Sequence, residues 1–536
     1  MISRKKFLSW TAGAYLGSLM PWSCRQRKSI GGSIIGASSQ VGHKLLSQIS
    51  GSPVEEQRVN IVIIGGGVSG LSAGYFLQKG GENNFVLLDL EDEAGGNARC
   101  GSNQLSAFPW GAHYVPLPNN DLAEYLEFLT SINVITGSNE AGLPMYNEAY
   151  LCFDPSERLY INGRWQEGLV PHFGVPENEV KQIAQFLEAM HHFRQAKGSD
   201  GKDAFAIPID NSSTDSQYIN LDTLTMKNWL LSRGWTSSYL HQYVKYCCRD
   251  DFGTRHEEIS AWMGIHYFAA RKGRSGNAEH DDVLTWPEGN GFLVNKMIEK
   301  MRPQIKTGCL ATRVQLESAG LVHVDYYDVK TSSLKRLIAD QCLLATPQFV
   351  TARLLQDQIR VADVQKYFDY TPWVVANFSV RSIAERSGAP PAWDNVIHNS
   401  ESLGYVCASH QLLQQHPKRE NLTFYLPLTN GRGSEQRKIA QARTHSQWTA
   451  MVIDELKKIH PDIDDCIEKM DIMIWGHAMA KPLPGLIKGS TRAELSKPIE
   501  NRIFFAHTDL AGASIFEEGF YQGLKISQQL LTQKNA

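Results

Sequence analysis

The sequence predicts an α/β protein in which a Rossmann-like dinucleotide-binding domain is interleaved with a mixed α+β domain. Two motifs and the chain length lead there. A β-branched run at residues 59–64 passes through Gly65-Gly66-Gly67-Val68-Ser69-Gly70 into a helical pattern, and a second run, Phe85-Val86-Leu87-Leu88, ends in Asp89. At 536 residues the chain is long enough for two or three domains or one nested pair.

The N-terminus reads differently from the rest. Ser3-Arg4-Lys5-Lys6 is basic, residues 7–22 carry no charge, and Ser23-Cys24-Arg25 turns polar again. That order is the layout of an export signal, and the apolar run is short for a membrane span of about 20 residues. Residues 3–8 resemble a twin-arginine signal with Lys5 in place of the second arginine. Residues 1–28 are therefore expected to direct export to the periplasm or cell envelope, with Cys24 a candidate lipid anchor and an uncleaved membrane anchor the alternative. Residues 29–58, rich in Gly, Ser and Gln, read as a linker.

The formal net charge of −3 gives no global pull toward nucleic acid or anionic lipid. Nine cysteines without a C-x-x-C pair do not make a disulfide framework. No histidine or carboxylate grouping has metal-ligand spacing, so no metal is expected.

Gly65, Gly67 and Gly70 fill a G-x-G-x-x-G between a strand and a helix. Gly65 permits the tight turn, Gly67 lets backbone approach a pyrophosphate, and Gly70 lets the helix pack close to the strand. The helix start presents unpaired N–H groups and a positive dipole end to phosphate. Asp89 lies nineteen residues beyond Gly70, where a carboxylate accepts hydrogen bonds from ribose hydroxyls. Strand, glycines, helix, strand and acid in this order indicate dinucleotide binding.

With Gly95-Gly96-Asn97-Ala98-Arg99 the sequence begins to resemble the flavin amine oxidase superfamily, which includes monoamine oxidases and related desaturases. Members carry Gly-Gly-Arg here, the arginine contacting FAD phosphate; this chain has Asn97 in that place and Arg99 two residues on. Gly111-Ala112-His113-Tyr114 resembles the segment that passes beside the flavin ring, which puts His113 near its reactive edge. Trp286 to Leu293 is similar to the family's Pro-x-Gly-Gly segment, Val314 matches a position whose backbone meets adenine, and Ala345-Thr346-Pro347 matches the family's Ala-x-Pro turn. Near the C-terminus, Ala506-His507-Thr508-Asp509 resembles a strand end whose carboxylate, here Asp509, meets the phosphate–ribityl part of FAD. Phe516 and Glu517 then open a final helix that points at the flavin. Trp475, with His477 beside it, takes the place of an aromatic that flanks substrate.

The resemblance implies an FAD-binding domain in three pieces, residues 59–120, 284–350 and 470–536, with a substrate domain made of 121–283 and 351–469. In the latter, Asp250, Asp251, His256, Trp393, Asp394, Tyr405 and His410 are candidate pocket residues. It implies an FAD-dependent oxidoreductase acting on a small molecule, an amine being the first expectation, with oxygen or another acceptor reoxidising the cofactor. A C–C desaturase or redox-neutral isomerase shares every motif above, and a flavoprotein without turnover is the third alternative.

Overall fold

The computed structural model describes residues 30–534, except 48, 50, 382, 385 and 413–418. The export signal, with Cys24, lies outside the described residues. No described helix is long and apolar enough to cross a membrane.

Glu56–Ile64 is the central strand of a seven-stranded sheet, and its last residues are buried on both faces. Parallel neighbours on either side, Phe85–Leu88 and Ser333–Leu344, explain why the run is β-branched rather than alternating. Ile305–Lys306 extends the sheet beyond Phe85–Leu88, and the antiparallel strands Cys309–Leu316 and Val322–Asp328 form a meander on Ser333–Leu344. Ile503–Phe505, from the far end of the chain, pairs in parallel with Cys342–Leu344.

Helix packing closes the same junction. The helix Val68–Lys79 lies against the final helix Phe516–Lys534 so closely that a Cβ on Gly523 would come within 2.2 Å of the Ser69 carbonyl. Ser72 Oγ donates to the Phe520 carbonyl across this contact, 2.7 Å. A small residue and a buried hydroxyl thus join the two halves of the dinucleotide domain.

The second sheet has eight strands, in the order Ile34–Gly36, Ile467–Ala480, Tyr370–Arg381, Arg419–Pro427, Gly404–Cys407, Asp394–Ile397, Glu157–Ile161, Arg164–Glu167. Helices Glu177–Gln195, Ser238–Phe252 and Ala261–Ala269 pack beside it.

Two boundaries differ from the sequence reading. Residues 29–58 are not simply a linker, because Ile34–Gly36 adds an edge strand and Ser39–Leu46 forms short helical turns. Three residues paired with a strand more than 400 positions away leave no local periodicity to read. The third dinucleotide-domain piece also begins later than 470, since Ile467–Ala480 is a strand of the eight-stranded sheet, between Ile34–Gly36 and Tyr370–Arg381.

Candidate functional site

The two glycine motifs meet. Gly65 has φ +107°, a conformation that disfavours any side chain, and a Cβ there would lie 2.4 Å from the Ala345 carbonyl. Gly70 would collide with the Gly65 carbonyl at 1.9 Å, so it is required for packing of the turn itself. Gly67 differs: a Cβ there meets nothing within 4 Å. It stands at the start of Val68–Lys79 and faces open space, which is the room an approaching phosphate needs. Gly95 N donates to the Gly66 carbonyl at 2.7 Å, and Gly96 packs onto Gly67.

Asp89 accepts from Gly66 N at 2.6 Å and Glu91 N at 2.7 Å. Burial pushes its carboxyl up to about 6, against the pull of those two amides. Asn97 donates its Nδ2–H to the Ala478 carbonyl at 2.5 Å and so ties the turn to the eight-stranded sheet. Arg99 turns inward. Its guanidinium lies 5.2 Å from the Trp475 ring and 3.5 Å from Glu91 Oε2, and its buried Nε has no hydrogen-bond partner. A guanidinium beside a glycine cradle suits an anionic ligand. Arg99→Met should remove one charge-assisted contact of roughly 1.5–3 kcal/mol and weaken dinucleotide affinity about 10- to 150-fold. Equilibrium titration of the cofactor-free protein measures this, and an unchanged Kd would leave Arg99 a packing residue.

Val314 lies in the strand Cys309–Leu316, which begins beside Asp89. The residue whose backbone meets Asp89 is Cys309, whose N–H donates to the Asp89 carbonyl at 2.8 Å. Val314 lies five residues further along the strand, buried opposite Val324 in the meander core.

Gly111 and Ala112 lie beside this cradle. A Cβ on Gly111 would lie 2.2 Å from the Asn97 carbonyl, while Ala112 is exposed and donates its N–H to the same carbonyl at 3.0 Å. Asn290 N, in the turn after Trp286, donates to the Ala112 carbonyl at 3.0 Å and fixes the segment from behind. Asp509 accepts from Gln348 N at 2.8 Å and Tyr370 OH at 2.7 Å, and its Oδ1 lies 3.1 Å from His507 Nδ1. Burial works against its charge, but His507, Tyr370 and the Gln348 amide together hold the carboxyl below its ordinary value. Phe516 and Glu517 are buried in the first turn of the final helix.

Trp475 donates Nε1–H to the Trp110 carbonyl at 2.6 Å and offers its ring to Arg99. His477 stacks on Phe349 at 4.2 Å, and burial lowers its pKa to about 3. His113 stacks on Tyr425 at 4.5 Å with Trp393 at 5.6 Å, and burial takes it down to about 4.

His113 belongs to a cluster of aromatic and acidic side chains that several of the other candidates join. Tyr114 OH lies 3.3 Å from both Asp250 Oδ2 and Asp251 Oδ1, and Arg271 Nη2 donates to Asp251 Oδ2 at 2.6 Å. Tyr246 OH donates to Asp394 Oδ2 at 3.2 Å. Asp250 and Asp394 stay partly accessible, whereas Asp251 is buried against Arg271. Burial, reinforced by Asp251, pushes Asp250 up to about 7, and burial with Asp250 pushes Asp394 well above the carboxylate range. Glu517 is raised to about 7 by burial, with Arg271 and Asp251 in its field. Four pocket candidates, Asp250, Asp251, Trp393 and Asp394, thus come together. His256 bonds His241, Tyr405 bonds His460, and His410 bonds the Phe153 carbonyl instead. Tyr246, Tyr425 and Arg271 were not legible as pocket residues, since aromatic and basic residues at those spacings are ordinary core and surface.

These carboxyls give the fold a pH dependence. Asp250, Glu517 and Glu518, raised to about 7, 7 and 8 mainly by burial, hold protons more tightly folded than unfolded. Their stabilisation is complete below roughly pH 4 and is lost as pH rises through those values. His113 and His477, depressed to about 4 and 3, act in the opposite sense, but that contribution is complete above about pH 6.5. Melting temperature of the cofactor-free protein should therefore fall between about pH 6.5 and 8.5. A flat or rising Tm across that window would mean the carboxyls are ionised in the fold.

Residues 63–129 match the model of the NAD(P)-binding Rossmann-like domain. Comparison with curated proteins finds no match. Among solved structures, cyclohexylamine oxidase from Brevibacterium oxydans superposes with a TM-score of 0.63 at 15% identity over 89% of this chain and all of its own. Putrescine oxidase bound to putrescine gives 0.62 at 12% identity over the same shares. A fatty acid isomerase from P. acnes gives 0.60 at 14% identity over 88% of this chain and 98% of its own. The chain therefore has the fold of the flavin amine oxidases that its motifs resemble, built around a Rossmann-like dinucleotide-binding domain.

Proposed function

We propose that this chain is an FAD-dependent oxidoreductase that oxidises the C–N bond of an amine. The observation that carries the reading is the cluster of His113, Tyr114, Trp393 and Tyr425 with Asp250 and Asp394, taken as the substrate chamber, which adjoins the dinucleotide cradle through Gly111 and Ala112. Aromatic faces and carboxylates are the groups that receive an ammonium. When bound, FAD accepts the hydride that the carbon next to nitrogen gives up.

The protein's own part is positioning and the proton. An aliphatic amine arrives as ammonium with a pKa near ~10.4, and only the neutral amine has the lone pair that stabilises carbon as hydride leaves. His113 at about 4 and His477 at about 3 are poor acceptors. Moving a proton from such an ammonium to His113 is uphill by roughly 8–9 kcal/mol. Asp250, at about 7, is far better matched, and a chamber that penalises charge favours the neutral acid and neutral amine over the ion pair. Asp250 takes the proton, Asp394 shares the field, and the stacked His113 and Tyr425 hold the substrate carbon toward Ala112.

The test is to purify the full chain, measure FAD released by acid, and mix it anaerobically with amine and polyene panels. An amine that bleaches the flavin and leaves as imine or aldehyde supports the reading. Bleaching by a polyene alone, or isomerisation without bleaching, would transfer the assignment to the desaturase–isomerase branch.

A further inference from the structure

Residues 31–46 run from the edge of the eight-stranded sheet across to the dinucleotide domain. Met470 N and Ile472 N donate to the Gly31 and Ser33 carbonyls, both at 2.9 Å, laying the segment along the outer edge of Ile467–Ala480. Ala37 packs at the aromatic cluster that contains Trp475. The chain then crosses to the dinucleotide domain. Ser38 N donates to Glu91 Oε1 at 2.9 Å and Ser38 Oγ to Glu91 Oε2 at 3.0 Å. Gly42 sits against Leu90, Lys44 Nζ lies 4.4 Å from the centre of the Tyr327 ring, and Leu45 packs on the sheet core. His43 comes near enough to His477 to help depress its ionisation.

Three of these landing points, Glu91, Trp475 and His477, lie near the cradle. Glu91 is two residues from Asp89, donates its own N–H to that carboxylate, and pairs with Arg99. Trp475 faces Arg99, and His477 stands two residues further along the same strand. The hold is also light, since the helical turns at 39–46 bury no residue fully and Leu46 is 61% exposed. A segment with few buried apolar contacts opens locally at low cost.

We propose that residues 34–46 are a clasp over the dinucleotide groove, latched by Ser38 on Glu91, and that bound FAD leaves only when the clasp opens. The inference rests on the FAD reading above. Ser38 and Arg99 share one carboxylate, so an anion that draws on Arg99 frees Glu91 charge for Ser38 and tightens the latch. Linkage is reciprocal: a clasp that retains FAD must itself be protected by FAD.

The experiment uses the full-length FAD-bound protein and a Leu45→Asp variant, which places a charge where the clasp seats on the sheet core. Release is followed by the fluorescence of free FAD after dilution, and clasp opening by endoproteinase Lys-C cleavage at Lys44. The variant should release FAD at least ten times faster, and FAD should slow Lys44 cleavage in the unmodified protein by a similar factor. Faster cleavage of Leu45→Asp with an unchanged FAD release rate would overturn the clasp. If the variant does not fold, the unmodified protein decides alone, and equal Lys44 cleavage with and without FAD overturns it. A protein that takes up no FAD removes the functional reading and the clasp with it, a result distinct from either of these.

Discussion

Gly67→Val should give a folded protein that holds no dinucleotide. Gly67 has no atom within 4 Å of the position its Cβ would take, so valine fits the cofactor-free fold without collision. The same branched side chain occupies the space in front of the N-terminus of Val68–Lys79. Losing two or three charge-assisted contacts there is worth roughly 3–6 kcal/mol, about 10²- to 10⁴-fold in affinity. Gly70→Val is the contrasting control, because its Cβ would fall 1.9 Å from the Gly65 carbonyl and the turn itself must break. Flavin absorbance per protein and circular dichroism read the two variants. A Gly67→Val protein that keeps its FAD would show that this turn faces no phosphate.

The second large effect belongs to the chamber. Asp250→Asn keeps the shape and a partner for Tyr114 but removes the group placed to take the substrate's proton. General-base loss costs roughly 10²- to 10⁴-fold in the reductive step. FAD content should be unchanged, since Asp250 touches the chamber and not the cradle. Asp251→Asn makes a useful comparison, because it breaks the buried pair with Arg271 and should act on stability first. Anaerobic flavin reduction by a reactive amine separates them; an Asp250→Asn protein reduced at the original rate would exclude this carboxyl as acceptor.

The dinucleotide half of the site was legible in the sequence because each of its constraints is local. Strand, glycine turn, helix and acid follow one another within residues 56–89, and the turn geometry demands glycine at Gly65. The fold class followed from the same stretch. The chamber was only partly legible. Asp250 and Asp251 leave the end of helix Ser238–Phe252, Asp394 opens a strand nearly 150 residues on, and Tyr425 comes from a third element. Their meeting is set by sheet order, which no spacing in the chain records. Val314 shows one limit, since a short motif match places a residue on a strand but fixes no ligand contact. Residues 29–58 show another, since an edge strand of three residues draws its stability wholly from its distant partner.

The most direct test of the account is the pH profile of the second-order rate constant for anaerobic flavin reduction, taken over a matched series of amines of differing pKa. One proton must be shared between chamber and substrate at the start, so the profile should be bell-shaped. Its acidic limb should stay near 7, where Asp250 ionises within its coupled group of carboxyls, whatever amine is used. Its alkaline limb should follow the pKa of the amine, compound by compound. A profile whose limbs ignore the substrate's own ionisation across the series would contradict the central claim that this chamber receives an ammonium and takes its proton before the C–N bond is oxidised.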